Sequence, residues 1–273
     1  MYKFGFIGAG KMGGAILKVV SGAVGGENVI VFDKNTEHCR RITAELGCVF
    51  SEDIEAVVGK SEYIVLGVKP QNAKELLGGI GDTLKKASAE NKDKSVVLVS
   101  MLAGTEISKI TEYLGFVWPV IRIMPNIAAT VGKAMTLCCA NEYVKESELD
   151  FFVKSMEKSG RIDIVDEKNI DAYSIVTGCG PAWICQIAEA LADGQVAIGV
   201  PRDKAYLYAA QTLAGTAELL SREGAVPAVL KDSVCSPGGT TIEGVKALEK
   251  GAVRSSVIDA VCAAYKRTKE IGK

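Results

Sequence analysis

The sequence predicts an α/β chain in two parts: a mainly parallel sheet covered on both faces, followed by an all-helical domain. Three observations carry this. Through residue 162, apolar runs of strand length alternate with stretches of helical periodicity. From Lys168 onward no alternating strand recurs. The second part is cut instead into helices by Gly178/Gly180/Pro181, Gly199/Pro201, Gly224/Pro227 and Pro237/Gly238/Gly239. The expected division is 1–162 and 163–273.

Lys3 to Gly8 is an apolar run ending in glycines and reads as the first strand. Lys11 to Ser21 follows as a helix with Ile16, Val19 and Val20 on one side. Asn28 to Phe32 is a second apolar strand, and Thr36 to Leu46 a helix carrying Glu37 near its start. Glu62 to Val68 is a third strand. Pro70 to Leu77 reads as a helix because proline suits a first helical turn. A solvated, Lys-rich stretch from Lys85 to Lys94 precedes a strand at Ser95 to Ser100, and Val120 to Met124 and Ala134 to Ala140 complete the set. In the second part, helices are expected at Pro181 to Val196, Lys204 to Arg222, Thr240 to Lys250 and Ala252 to Glu270.

Composition narrows the function. The 273 residues carry 32 basic and 33 acidic side chains, a net charge of −1, which argues against a nucleic-acid binder working through a basic face. Apolar runs such as Ile64 to Val68 are strand-length, so no membrane span is expected. A strand begins almost at once, leaving no room for a signal peptide. Eight scattered cysteines without a C-x-x-C pair, and one histidine, argue against zinc and for reduced thiols in the cytoplasm.

Gly8-Ala9-Gly10-Lys11-Met12-Gly13 is G-x-G-x-x-G between a strand and a helix, and Asp33 ends the next strand 20 residues beyond Gly13. That is the context of a Rossmann-type dinucleotide site. Gly8 permits the turn, Gly10 lets backbone approach a pyrophosphate, and Gly13 lets helix pack on strand. The helix start then faces the phosphates. Asp33 suits a ribose 2′-hydroxyl, hence NADH. Lys34, with Arg40 and Arg41 beyond, suits a 2′-phosphate, hence NADPH, or the arginines form a solvated helix face. Both cofactors stay open.

A second glycine turn, Cys235-Ser236-Pro237-Gly238-Gly239-Thr240-Thr241, feeds straight into a helix, with Thr240 or Thr241 where an N-cap would stand. It reads either as a capped helix or as an anion site for a small carboxylate. This stretch, extended to Asp232-x-x-Cys235-Ser236-Pro237-Gly238-Gly239-Thr240-Thr241, resembles the signature of the pyrroline-5-carboxylate reductase family. Phe6-Ile7-Gly8-Ala9-Gly10-Lys11-Met12-Gly13, Val68-Lys69-Pro70, Met124-Pro125-Asn126 and Gly178-Cys179-Gly180-Pro181-Ala182 agree in order, so the resemblance covers essentially the whole chain. It implies reduction of 1-pyrroline-5-carboxylate to L-proline with NADPH or NADH, and a helical domain that interlocks as a homodimer, with dimers often assembling into rings. It also implies that Ser236, Gly238, Gly239, Thr240 and Thr241 bind the substrate carboxylate, with Thr241 beside the ring nitrogen. Val68, Lys69, Pro70 and Asn126 would flank the nicotinamide. The chain departs from the family pattern at Ile127 and Ala128, where Thr-Pro is usual, and at Trp183, where Tyr is usual.

Reducing a cyclic imine needs hydride on carbon and a proton on nitrogen, and no metal. A Thr241 hydroxyl can donate to a neutral imine or accept from an iminium. His38 is expected as an ordinary helix-surface residue, Ser174 and Thr177 as helix-end hydroxyls, and Cys179 and Cys235 as small packed loop residues without an activating base. Arg122, inside the apolar run Val120 to Met124, is expected to be structural and to have a buried partner. Hydroxyacid dehydrogenases of similar plan carry a lysine after the glycine turn that opens the helical domain. Here no lysine follows Gly180 until Lys204. A nucleotide sensor would not need the second glycine turn.

Overall fold

The computed structural model describes residues 1–90 and 96–271. Eight strands form one sheet: β1 (Tyr2–Ile7), β2 (Val29–Phe32), β3 (Val49–Phe50), β4 (Ser61–Leu66), β5 (Val97–Ser100), β6 (Val120–Met124), β7 (Ala134–Ala140) and β8 (Gly160–Ile164). Their order is β3-β2-β1-β4-β5-β6-β7-β8, every pairing parallel except β6 with β7. The helices around it are α1 (Lys11–Val24), α2 (Thr36–Leu46), α3 (Ile54–Gly59), α4 (Ala73–Glu90), α5 (Ile107–Leu114), α6 (Glu146–Met156) and α7 (Glu167–Ser174). Beyond a π-helical turn at Ile175–Cys179 come α8 (Gly180–Ala197), α9 (Arg202–Leu220), α10 (Pro227–Ser233), α11 (Thr240–Lys250) and α12 (Val253–Ile271).

The sheet alternates its side chains between two apolar layers, as the two-residue period of a strand requires. Phe4 and Phe6 of β1 with Val65 of β4 pack under α1 and α6, whereas Ile7, Ile64 and Leu66 pack toward α3, α4 and α5. The expected α/β class stands. Seven elements went unread: β3, α3, α5, α7 and α10 are too brief to establish a period, β8 exposes three of its five residues, and the longer α6 was passed over. The helix expected to end at Leu77 continues to Glu90, so Lys85 and Lys86 are helical. Ser95 and the remainder of the Lys-rich stretch, 91–94, lie outside the described residues.

Two compact units emerge, Met1–Gly178 with Arg267–Lys273, and Cys179–Lys266. The division falls in the π-helical turn, later than the sequence-based boundary at 162/163. In the second unit α8 packs on α9, and the buried apolar residues are only Ala192, Ala205 and Ala209. Large apolar side chains stand exposed, among them Ile184, Leu191, Ile198 (82%) and Leu207 (63%). One continuous helical run, Glu167–Ala197, is long and apolar enough by length and composition to cross a membrane. That corrects the expectation of no such segment. Counting uninterrupted apolar runs missed it because alanines and glycines dilute the run without making it polar.

Arg122 is fully buried on β6, and its partners lie on α7. Nη2 donates to Asp171 Oδ1 at 2.6 Å and Nη1 to Glu167 Oε1 at 3.3 Å. Glu167 Oε1 also accepts the Ile107 N–H at the start of α5, at 2.7 Å. The expected structural role therefore has its partners, and they pin α7 to the sheet. Asp171→Ala leaves a buried guanidinium half-paired and should cost about 3 kcal/mol, the low end for a broken buried pair because Glu167 remains. The check is a urea melt, with the midpoint falling and the slope unchanged.

Candidate active site

Chain order reverses between β1 and β4, the switch point where open α/β sheets bind ligands beyond the carboxyl ends of their strands. Ile7 is registered against Leu66, so Gly8 and Gly67 leave the sheet side by side. Gly8 has φ +102° and a Cβ there would lie 2.6 Å from the Gly67 carbonyl oxygen. A Cβ on Gly13 or on Gly67 would strike the Gly8 carbonyl. These three glycines are demanded by contact between backbones. Gly10 differs: it is exposed, and a Cβ on it would meet no protein atom within 4 Å. Nothing in the protein requires glycine there, so the open cradle fits a group approaching the turn from outside. No side chain caps α1 and its first turn holds no carboxylate, leaving its amides to an anion.

A cleft of about 650 Å³ opens at this point. Among the expected cofactor residues Gly8, Gly10, Asp33, Lys34, Val68 and Lys69 line it. Ala9 and Gly13 are buried behind the turn, Lys11 and Met12 begin α1, and Pro70 opens the short 3-10 turn Pro70–Asn72. Asn126 does not line the cleft. It accepts from the Ala128 N–H and donates to the Thr177 carbonyl at 2.7 Å. Asp33 accepts two backbone N–H groups, from Ala9 at 2.6 Å and Asn35 at 2.8 Å. A carboxylate has room for further donors, so a ribose hydroxyl is still accommodated. Arg40 pairs with Glu52 and lies over the Phe50 ring, and Arg41 approaches His38, so Lys34 alone of the three cations faces the cleft.

Sequence reasoning missed Gly67, read as strand interior, and the acids Glu55 and Glu75, which line the cleft from α3 and α4. It also misjudged His38. The ring is half-buried, and Nε2 lies 2.8 Å from the Ala9 carbonyl oxygen. Ser174 and Thr177 donate back to carbonyls three residues earlier, as helix-end hydroxyls do.

The second glycine turn belongs to the other unit. Gly238 takes φ +69° and Gly239 donates to the Ser236 carbonyl at 3.0 Å. Gly239, not a threonine, is the N-cap of α11, and a Cβ there would crowd Ser236 Oγ. Thr240 and Thr241 are thus the first two helical residues, both exposed. The acid in that first turn, Glu243, is neutralised by Lys246 at 2.9 Å. Cys179 corrects another expectation: it is exposed in the π-helical turn, not packed in a loop. Burial pushes the thiols of Cys39, Cys48 and Cys139 up to about 11 and that of Cys138 to about 12, so these four stay protonated and inert at neutral pH.

Gly10→Ala should leave stability within about 1 kcal/mol, because it only replaces a glycine N-cap in open space, yet weaken dinucleotide binding. Gly13→Ala should destabilise the fold itself by forcing two backbones apart. Thermal melts alongside NADPH fluorescence titration separate the two.

Residues 167–271 match the family profile described as pyrroline-5-carboxylate reductase dimerisation, and residues 3–104 match NADP oxidoreductase, coenzyme F420-dependent. A pyrroline-5-carboxylate reductase of Arabidopsis thaliana is 38% identical over 277 residues, covering 100% of this chain and 96% of the relative. That of Escherichia coli is 33% identical, covering 99% and 98%. The crystal structure of Plasmodium falciparum pyrroline carboxylate reductase with NADP bound superposes with a TM-score of 0.86 at 29% identity, covering 100% and 98%. With likeness of this degree along its whole length, the chain belongs to the pyrroline-5-carboxylate reductase family.

Proposed function

We propose that this chain reduces 1-pyrroline-5-carboxylate to L-proline with NADPH or NADH, the last step of proline biosynthesis. The end-to-end likeness to reductases of that name carries the reading. The geometry is compatible with it at both glycine turns. Gly10 and the uncapped start of α1 suit a diphosphate, with Asp33 and Lys34 at the ribose and Val68 and Lys69 toward the nicotinamide; Pro70 and Asn126 are assigned there by the family resemblance alone. A bound reduced nicotinamide supplies the hydride. The residues of the chain bind, orient and exclude water. Ser236, Gly238, Gly239, Thr240 and Thr241 hold the substrate carboxylate at the start of α11, where helix amides and dipole favour an anion and Glu243 is already paired. The Thr241 hydroxyl holds the ring nitrogen as that atom gains or carries its proton. Lys34 attracts a 2′-phosphate and Asp33 repels it, so both cofactors are used.

The exposed apolar side chains of α8 and α9 make the protein a homo-oligomer. Its unit is a dimer through the helical region, with rings of dimers beyond. Free cysteines and a metabolic role support a cytoplasmic location, and on this reading a second copy, not lipid, covers the apolar run Glu167–Ala197. Light scattering at micromolar concentration should give a mass of two chains or more; a single-chain mass overturns the oligomer.

Loss of NADPH or NADH absorbance on adding 1-pyrroline-5-carboxylate tests the activity, with 3-hydroxyacid oxidation as the counter-assay. Thr241→Ala should lower kcat/KM roughly ten- to a hundredfold, the worth of one hydrogen bond to a charged nitrogen. Its melting temperature should barely move, since Gly239 supplies the N-cap. Thr240→Ala keeps the backbone amide through which that residue holds the carboxylate, so its kcat/KM should fall far less than that of Thr241→Ala. A Thr241→Ala enzyme with wild-type kcat/KM overturns the assignment.

A further inference from the structure

Ala9, in the middle of the first glycine turn, is held on both sides. Its N–H donates to Asp33 Oδ2 at 2.6 Å, and its carbonyl oxygen lies 2.8 Å from His38 Nε2. Asp33 Oδ1 accepts the Asn35 N–H at 2.8 Å, and Asn35 Oδ1 accepts the His38 N–H at 3.0 Å. Arg41 Nη2, which can only donate, faces His38 Nδ1 at 3.3 Å. Nδ1 is therefore the acceptor, and Nε2 carries the proton given to Ala9. The four bonds close a ring, Ala9 to Asp33 to Asn35 to His38 and back, which ties the glycine turn to the turn between β2 and α2.

We infer that His38 is a positioning residue for dinucleotide binding: it locks the Ala9–Gly10 peptide so that the amides of the turn are aimed before the diphosphate arrives. The inference rests on the dinucleotide role proposed above. A peptide is planar and trans, so a carbonyl pinned toward His38 sets the Gly10 N–H in the opposite direction. A Cβ on Gly10 would meet no protein atom within 4 Å, so beyond the Gly14 N–H bonded to the Gly10 carbonyl no side-chain packing holds this peptide, and glycine loses the most entropy when ordered. A turn ordered in advance spares binding that cost. Helix stability does not explain the contact. Asn35 already caps α2 through the His38 backbone, leaving the imidazole free to serve another element.

The test is fluorescence titration of full-length wild type, His38→Ala and His38→Gln with NADPH and with NADH. Melting curves and steady-state kinetics accompany it. His38→Ala should raise Kd and KM for both cofactors about three- to tenfold, the effect of one neutral hydrogen bond, with kcat at saturation unchanged. The melting temperature should stay within about 2 °C. His38→Gln, whose amide N–H reaches the same carbonyl, should recover most of the loss. Wild-type Kd in His38→Ala overturns the inference while leaving the proposed function intact. So does a loss that follows the melting temperature and that glutamine fails to rescue. A wild-type protein that binds neither cofactor overturns both.

Discussion

Where β1, β4 and the start of α1 meet, three backbones touch and no side chain fits between them. Gly8, Gly13 and Gly67 make that approach possible, and the rest of the first unit is arranged around it. Because the helix begins hard against the switch point, its unpaired amides open into the cleft and not onto the flank of the sheet. Because Gly8 and Gly67 leave adjacent strands at the same level, the segments after β1 and β4 form opposite walls. The ring through Asp33 and His38 then fixes the one part of the turn that packing leaves loose.

The two units solve the problem of stability differently. The first buries two apolar layers against a sheet and spends Arg122, the one buried cation among the described residues, on holding α7. The second has three buried alanines and a surface of isoleucine, leucine and tyrosine. At about 25 cal/mol per Å² of apolar surface buried, three alanines cannot offset the entropy of ordering five helices. The exposed surface is where the missing stabilisation comes from, once a second copy covers it.

Much of this was legible in the sequence because long elements declare their period. Thr36–Leu46, Val120–Met124, Ala134–Ala140 and Thr240–Lys250 lie where periodicity placed them. The glycine turn was readable because its strand, helix and acid are local in sequence. Apart from the eleven-residue α6, what failed was non-local or short. Gly67 matters because of Gly8, 59 positions away, and no local pattern shows that contact. His38 read as a surface residue because its partner is the carbonyl of Ala9, invisible to composition. The threonine N-cap was a sound preference, but Gly239 takes that position and both threonines fall inside the helix.

The bareness of the helical unit also ties the chain's survival to how much of it there is. A second unit with so small a core of its own gains stability when its exposed apolar side chains are covered by another copy, and such a gain follows mass action. Newly made or diluted chains display Ile198, Leu207 and their neighbours to water, and to any other sticky surface, until a copy is met.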